Sequence, residues 1–242
     1  MESGETLVFG HRGAMASAPM NTLASFQLAY KQGAAGIELD VHLSKDGHLI
    51  VLHDFTIDAT TDGQGAAADF TLAELKRLDA GSWFSPAFVG EQIPTLDEVF
   101  ELVGRKLLIN IEIKSRSTES EAINHAVADS IRSHQMTDRA IVSSFDSRLL
   151  QRFIEICPEV MIGYLHSPSG AADLMDGLAH EARHPWHELI DDAYMSWAKG
   201  SGYFVNAWTV NDTQRACALK RLGVNGLITD SPAHIIDALE SC

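Results

Sequence analysis

Short apolar runs rich in β-branched residues recur along the chain, and each is followed by a longer stretch whose apolar positions fall at helical spacing. Strands that read as continuous apolar runs are covered on both faces, so the alternation predicts repeated strand and helix units around a parallel sheet. The clearest strands are Leu7 to Phe9, Gly36 to Leu43, Leu107 to Ile113, Ala140 to Phe145, Val160 to Leu165, Tyr203 to Val210 and Gly226 to Thr229. Helices are expected between them. Thr22 to Gln32 carries Leu23, Phe26 and Tyr30 at helical steps, Leu96 to Val103 follows Pro94, and Asp212 to Leu222 ends at Gly223. The sixth unit has the weakest pattern: His184 to Ile190 is only marginally strand-like, with a helical stretch from Asp191 to Gly200 behind it.

An α/β chain of 242 residues matches the usual size of one (β/α)8 TIM barrel, and no linker or repeat divides it. A single domain over residues 1–242 is therefore expected. Between Leu49 to His53 and Pro94 the connection is too long for an ordinary loop. It holds DGQG, a short helix from Leu72 to Leu78 and the run AGSWFSP, and is read as a small insertion of about 55–92 after the second strand region, beside the site.

Side chains of a strand alternate between its faces. In Gly36 to Leu43, Glu38, Asp40 and His42 therefore share one face, with Ile37, Leu39 and Val41 on the other. The same rule groups Asn110, Glu112 and Lys114 on the strand that follows. Carboxylates inside apolar runs need compensation, and a hard divalent cation held by Glu38, Asp40 and Glu112 would supply it. A salt-bridge network tying Lys114 to these acids is the competing reading. His11 and Arg12 end the first strand, and His53 ends Leu49-Ile-Val-Leu-His. Two histidines at strand ends beside a carboxylate strand fit a general acid and a general base, with Arg12 and Lys114 clamping a phosphoryl group.

Charge narrows the partners. Thirty-three acidic residues against eighteen basic give a net charge of −15, which repels nucleic acid and anionic lipid surfaces. No nucleic-acid partner and no stable membrane association are expected, while a small anionic substrate stays compatible through local cations. Cys157, Cys217 and Cys242 are odd in number and show neither CxxC nor close spacing, so no disulfide framework or zinc knuckle is evident. With no basic leader region in MESGETLVFG and no run of eighteen apolar residues, a reducing, cytoplasmic location is expected.

Other patterns are set aside. His180-Glu-Ala-Arg-His184 matches HExxH, but Pro185 follows at once and would end the helix that a zinc site needs. Gly63-x-Gly65-x-x-Ala68 lacks the preceding strand of a dinucleotide site and is read as a turn. The stretch from Ser115 to Glu121 is read as a solvated loop.

Taken in order, HRG at 11 to 13, Asn21-Thr22, Glu38-Leu-Asp40, His53-Asp54, LDAGSWF, IPTLDEV, Glu112-Ile-Lys114 and Trp208-Thr-Val-Asn211 resemble the glycerophosphodiester phosphodiesterases over Leu7 to Pro232. The resemblance implies a barrel with a small insertion, catalytic histidines at His11 and His53, and one divalent cation at Glu38, Asp40 and Glu112. Mg2+ or Ca2+ is expected, with Mn2+ admissible; oxygen ligands disfavour zinc. It further implies phosphate contacts from Arg12 and Lys114, and Trp208 near the glycerol of a small-molecule glycerophosphodiester. The expected reaction is hydrolysis to sn-glycerol 3-phosphate and an alcohol. A lysophospholipase D-type activity and a non-catalytic phosphate-binding barrel are the alternatives, and a homodimer stays open. Two positions depart from the pattern: Met20 stands where the family commonly has glutamate before Asn-Thr, and Ala59 where the motif around Thr60-Thr61 commonly begins with arginine.

Overall fold

Each strand divides its side chains between an apolar layer and a polar axis. The computed structural model describes residues 5–114, 120–168 and 180–242. In β2 (Gly36–Leu43), Ile37, Leu39 and Val41 join a buried cluster with Phe26 and Ala29 of α1 (Leu23–Lys31) and Val99 and Phe100 of α3 (Leu96–Val103). Ile109, Ile111 and Ile113 of β4 (Leu108–Ile113) join the same layer. Glu38, Asp40, Asn110 and Glu112 are buried as well, on the opposite face.

Closure of the sheet makes that opposite face the inside of a barrel. In addition to β2 and β4, the strands are β1 (Leu7–His11), β5 (Ala140–Ser144), β6 (Met161–His166), β7 (Ala182–Pro185), β8 (Phe204–Ala207) and β9 (Gly226–Thr229). These eight form a parallel barrel closed by the β1–β2 pairing, the α/β TIM architecture expected. The register sets His11 opposite Glu38, Glu38 opposite Asn110, and Asp40 opposite Glu112. Polar side chains from three strands thereby come to two successive levels, His11, Glu38 and Asn110 in one and Asp40 and Glu112 in the other.

Helix boundaries follow local chemistry. The Thr22 hydroxyl caps α1, and Thr95 and Glu98 cap α3 reciprocally, each such cap contributing ~1 kcal/mol. Asp191 and Asp212 cap α6 (Asp192–Gly200) and α7 (Thr213–Leu222). The remaining helices are α2 (Leu72–Leu75), α4 (Ser120–Ser133), α5 (Ser147–Ile156) and α8 (Pro232–Glu240). Among the described residues no helix is long and apolar enough to cross a membrane.

Several expectations change. His53 was expected at a strand end, but β3 (Leu49–Val51), which pairs antiparallel with β2 as a hairpin outside the barrel, stops at Val51 and His53 lies just beyond it. The sixth barrel strand falls earlier than His184 to Ile190, and His187–Leu189 is a 3-10 turn. HExxH thus ends on a strand rather than on a helix. β8 stops at Ala207, after which Trp208 bridges Trp186. Gly63 to Ala68 holds a bend at Gly65, a bridge from Ala66 to Thr56 and the start of a 3-10 turn at Ala67–Asp69. Positions 115–119 lie outside the described residues, but Ser120 and Glu121 open α4 instead of continuing a loop.

The cysteines are also corrected. Cys217 and Cys242 form a disulfide with Cα atoms 5.9 Å apart, because α7 packs on α8 and brings distant positions together. Cys157 is free and buried. Protein isolated without reductant should therefore show one titratable thiol per chain in denaturant and three after reduction. Three thiols before reduction would rule out the pairing.

Candidate active site

The loop after β1 is held in an uncommon backbone form. Arg12 has φ 52° and Asn21 φ 57°, a left-handed conformation that is uncommon for side chains other than glycine. Between them Gly13 has φ 86°, and a Cβ there would fall 2.3 Å from Ser25 Oγ. The turn is fixed by hydrogen bonds: the Arg12 amide donates to Glu38 Oε2 at 3.1 Å, and its carbonyl accepts from the Asn21 amide and the Ser25 hydroxyl. The guanidinium is directed inward, with Nε 3.4 Å from Asp40 Oδ2 and Nη1 3.3 Å from Met20 Sδ. Asn21 Nδ2 donates to Asp40 Oδ2 at 2.9 Å.

Glu38, Asp40 and Glu112 offer oxygen atoms that all lie within 4.8 Å of one another. Lys114 Nζ reaches Asp40 at 3.1 Å and Glu112 at 2.5 Å, so the salt-bridge network considered from sequence is present too. It does not balance the site. Three carboxylates face Arg12 and Lys114, and one negative charge is left over. Burial, then the Asp40 and Glu112 carboxylates, push the Glu38 carboxyl well above its usual range. Burial and Asp40 push Glu112 up to about 7 despite Lys114. For Asp40 burial works the same way, but the Lys114 and Arg12 charges outweigh it and hold the carboxyl low. An all-oxygen donor set with surplus negative charge fits a hard divalent cation.

Both histidines are oriented by carboxylates. His11 Nδ1 is 2.6 Å from Asp230 Oδ1, with Nε2 4.0 Å from Glu38. Asn211 fixes Asp230 in turn, its Nδ2 donating to Oδ2 at 2.6 Å and its Oδ1 accepting from the Asp230 amide. His53 Nδ1 pairs with Asp54 Oδ1 at 2.7 Å. Burial, aided by the Lys114 and Arg12 charges, lowers the His53 pKa more than the Asp40 and Asp54 carboxylates raise it. Asp230 was not singled out from sequence, and Asp54 and Asn211 were named there only within the motifs that carry the resemblance, without a role. Asp230 follows β9 directly, where a carboxylate at a barrel strand end is the available signal.

A cavity of about 230 Å³ joins these groups, lined by His11, Arg12, Glu38, His53, Glu112 and Lys114 on one side and Phe145 and Trp208 on another. All the expected site residues except the deeper Asp40 reach it. The Trp208 indole is half-fixed: its Nε1 donates to the His184 carbonyl at 2.6 Å, and its ring meets Phe145 edge-on. His184 is fully buried beneath, beside Asn206, in space that a Cβ on Gly163 would occupy. It is a packing residue, not a zinc ligand.

Residues 11–234 match the model of the glycerophosphoryl diester phosphodiesterase family. A glycerophosphodiester phosphodiesterase of Caldanaerobacter subterraneus subsp. tengcongensis is 42% identical over 96% of this chain and 97% of its own length. Another, from Bacillus altitudinis, is 33% identical over 97% of this chain and 98% of its own. Among solved structures, an Oleispira antarctica phosphodiesterase in complex with the product sn-glycerol-3-phosphate is similar with a TM-score of 0.91 and 35% identity, over 97% of this chain and 96% of that one.

The carboxyl shifts give a pH signature. Without a cation, the stability contributed by protonated Glu112 is present below its ordinary value of 4.5 and is lost as pH rises through about 7. A divalent cation must displace that proton, so its affinity falls about tenfold per pH unit below the carboxyl's pKa for each proton displaced. The rise in thermal midpoint produced by Ca2+ or Mg2+, relative to chelator at the same pH, should be larger at pH 8 than at pH 6. An equal rise at both would rule out the competition, and no rise at either would rule out the ligand set.

Proposed function

The chain belongs to the glycerophosphoryl diester phosphodiesterase family and is an enzyme of that class, and from that premise we propose that it hydrolyses glycerophosphodiesters to sn-glycerol 3-phosphate and an alcohol. The observation that carries the reading is the convergence on one cavity of two carboxylate-oriented histidines, two cationic side chains and two acids of a three-acid cluster whose third member, Asp40, lies just beneath.

Glu38, Asp40 and Glu112 would hold one divalent cation, Mg2+ or Ca2+ with Mn2+ admissible, which when bound offsets charge on the phosphodiester oxygens. Arg12 and Lys114 bind the same group, whose developing charge they stabilise from a partly dehydrated site. Asp230 and Asp54 each engage Nδ1 of a histidine and leave Nε2 for the proton transfers. One histidine takes a proton from the attacking oxygen, either of water or of the substrate's glycerol hydroxyl, and the other gives one to the leaving alcohol. Trp208 and Phe145 form the apolar wall on which the glycerol carbons rest. The reading includes a single domain over residues 1–242 and a cytoplasmic location. A reducing compartment would hold Cys217 and Cys242 as thiols, so the thiol count bears on that placement.

Glycerol 3-phosphate release from glycerophosphocholine and glycerophosphoethanolamine should cease in chelator and return with Ca2+, Mg2+ or Mn2+ added singly. Activity that chelator leaves intact would remove the cation from the reading. His11→Ala and His53→Ala should each lower kcat by ~10²–10⁴-fold with a nearly unchanged thermal midpoint. Full turnover in either variant would remove that histidine from the mechanism.

A further inference from the structure

A second cavity, of about 290 Å³, lies beside the first, and Arg12 and His53 line both. Its floor is carbon: Leu52, Ala80 and Ile93 are buried residues of the apolar cluster formed by the insertion and its two ends. Trp83 stands at its edge, 40% exposed, with Nε1 tied to the Ala80 carbonyl at 2.9 Å so that the ring is held in place. Met20 and Ala59 complete the wall. These are the two positions where the chain departs from the family pattern. Far apart in sequence, they meet at one cavity, and each puts an uncharged side chain where the pattern has a charged one.

We propose that this second cavity receives the leaving alcohol of the diester and selects an alcohol ending in a methylated ammonium, choline being the type, over one ending in hydroxyls. The proposal rests on the phosphodiesterase reading above. With the phosphoryl group between Arg12 and Lys114 and the glycerol against Trp208, the remaining ester oxygen leads past Arg12 and His53, the residues common to both cavities. A trimethylammonium group has no N–H to satisfy, so burying it against Met20 and Leu52 leaves no donor unpaired. The Trp83 face attracts the cation, and the exposed Asp54 carboxylate lies in the same wall. A polyol fares worse, because each buried hydroxyl needs a partner. Two of the polar groups at hand are already engaged, the Thr22 hydroxyl donating to the Pro19 carbonyl and Asn21 Nδ2 to Asp40, which leaves chiefly the buried Asn21 Oδ1 and the Thr60 hydroxyl to meet the several hydroxyls of a polyol.

The test compares kcat and KM for glycerophosphocholine and glycerophosphoglycerol at saturating cation, in the unmodified protein and in Trp83→Ala, Trp83→Phe and Ala59→Arg. The unmodified protein should favour the choline diester about tenfold in kcat/KM, the order of one good aromatic contact to a desolvated cation. Trp83→Ala should erase most of that ratio by raising KM for the choline diester, and Trp83→Phe should keep it. Ala59→Arg, at an exposed position where folding is undisturbed, should invert it by placing a positive charge in the wall. A ratio near one in the unmodified protein, or an equal loss on both diesters in Trp83→Ala and Ala59→Arg, would overturn the assignment of the cavity. Absence of glycerol 3-phosphate from either diester with every cation would instead overturn the phosphodiesterase reading itself.

Discussion

Three carboxylates enclosed by a barrel with only two cationic side chains to face them are the constraint on which the rest of this structure turns. Removing one partner from a buried ion pair typically costs about 3–5 kcal/mol, and here the imbalance is built in. Barrel interiors are usually filled by branched apolar side chains in layers. This one gives up part of that packing for Glu38, Asp40, Asn110 and Glu112. The loss is offset on the outer faces of the same strands, where Ile37, Leu39, Val41, Ile109, Ile111 and Ile113 are covered by helices. Stability and chemistry are thereby assigned to opposite faces of β2 and β4.

The loop after β1 answers the same imbalance. Arg12 is bound through its backbone to Glu38 and through its side chain toward Asp40, so one residue addresses two of the three acids. That double contact requires the left-handed turn at Arg12 and the missing side chain at Gly13. The uncommon backbone is therefore a consequence of the acid cluster and of the approach of α1, rather than an isolated oddity. Asn21 repeats the device, using a left-handed backbone to bring its amide to Asp40.

How much of this was legible in the sequence depended on the range of the interaction. The acid pair of β2 and Glu112 of β4 were readable because strand alternation is a local rule, and acids inside β-branched runs stand out against it. Asp230 was not readable as the partner of His11, since the two meet only when β9 closes against β1. The Cys217–Cys242 pair escaped for the same reason, through the packing of α7 on α8. No direction was read for Leu49 to His53, although a signal existed. The link from Ser44 to His48 is far too short for a parallel crossover, and only a hairpin can make it. HExxH misled because a motif states spacing and not secondary structure; on β7 its second histidine becomes core.

That hairpin shapes the site beyond its own pairing. Because β3 turns back along β2 instead of extending the barrel, the chain leaves it at Leu52 and His53 on the rim and passes straight into the insertion. His53 thus comes from the root of the insertion, whereas His11 comes from a barrel strand and is fixed by Asp230 at the end of another. The two histidines are positioned by different parts of the fold. Changes in the insertion can alter what lies beyond His53 without moving His11 or the acids of β2 and β4. Met20 also lies outside the barrel strands, in the β1–α1 loop. Of the two departing positions, Ala59 can therefore change the wall beyond His53 without touching the acids, whereas Met20 meets the Arg12 guanidinium and couples that wall to the loop after β1.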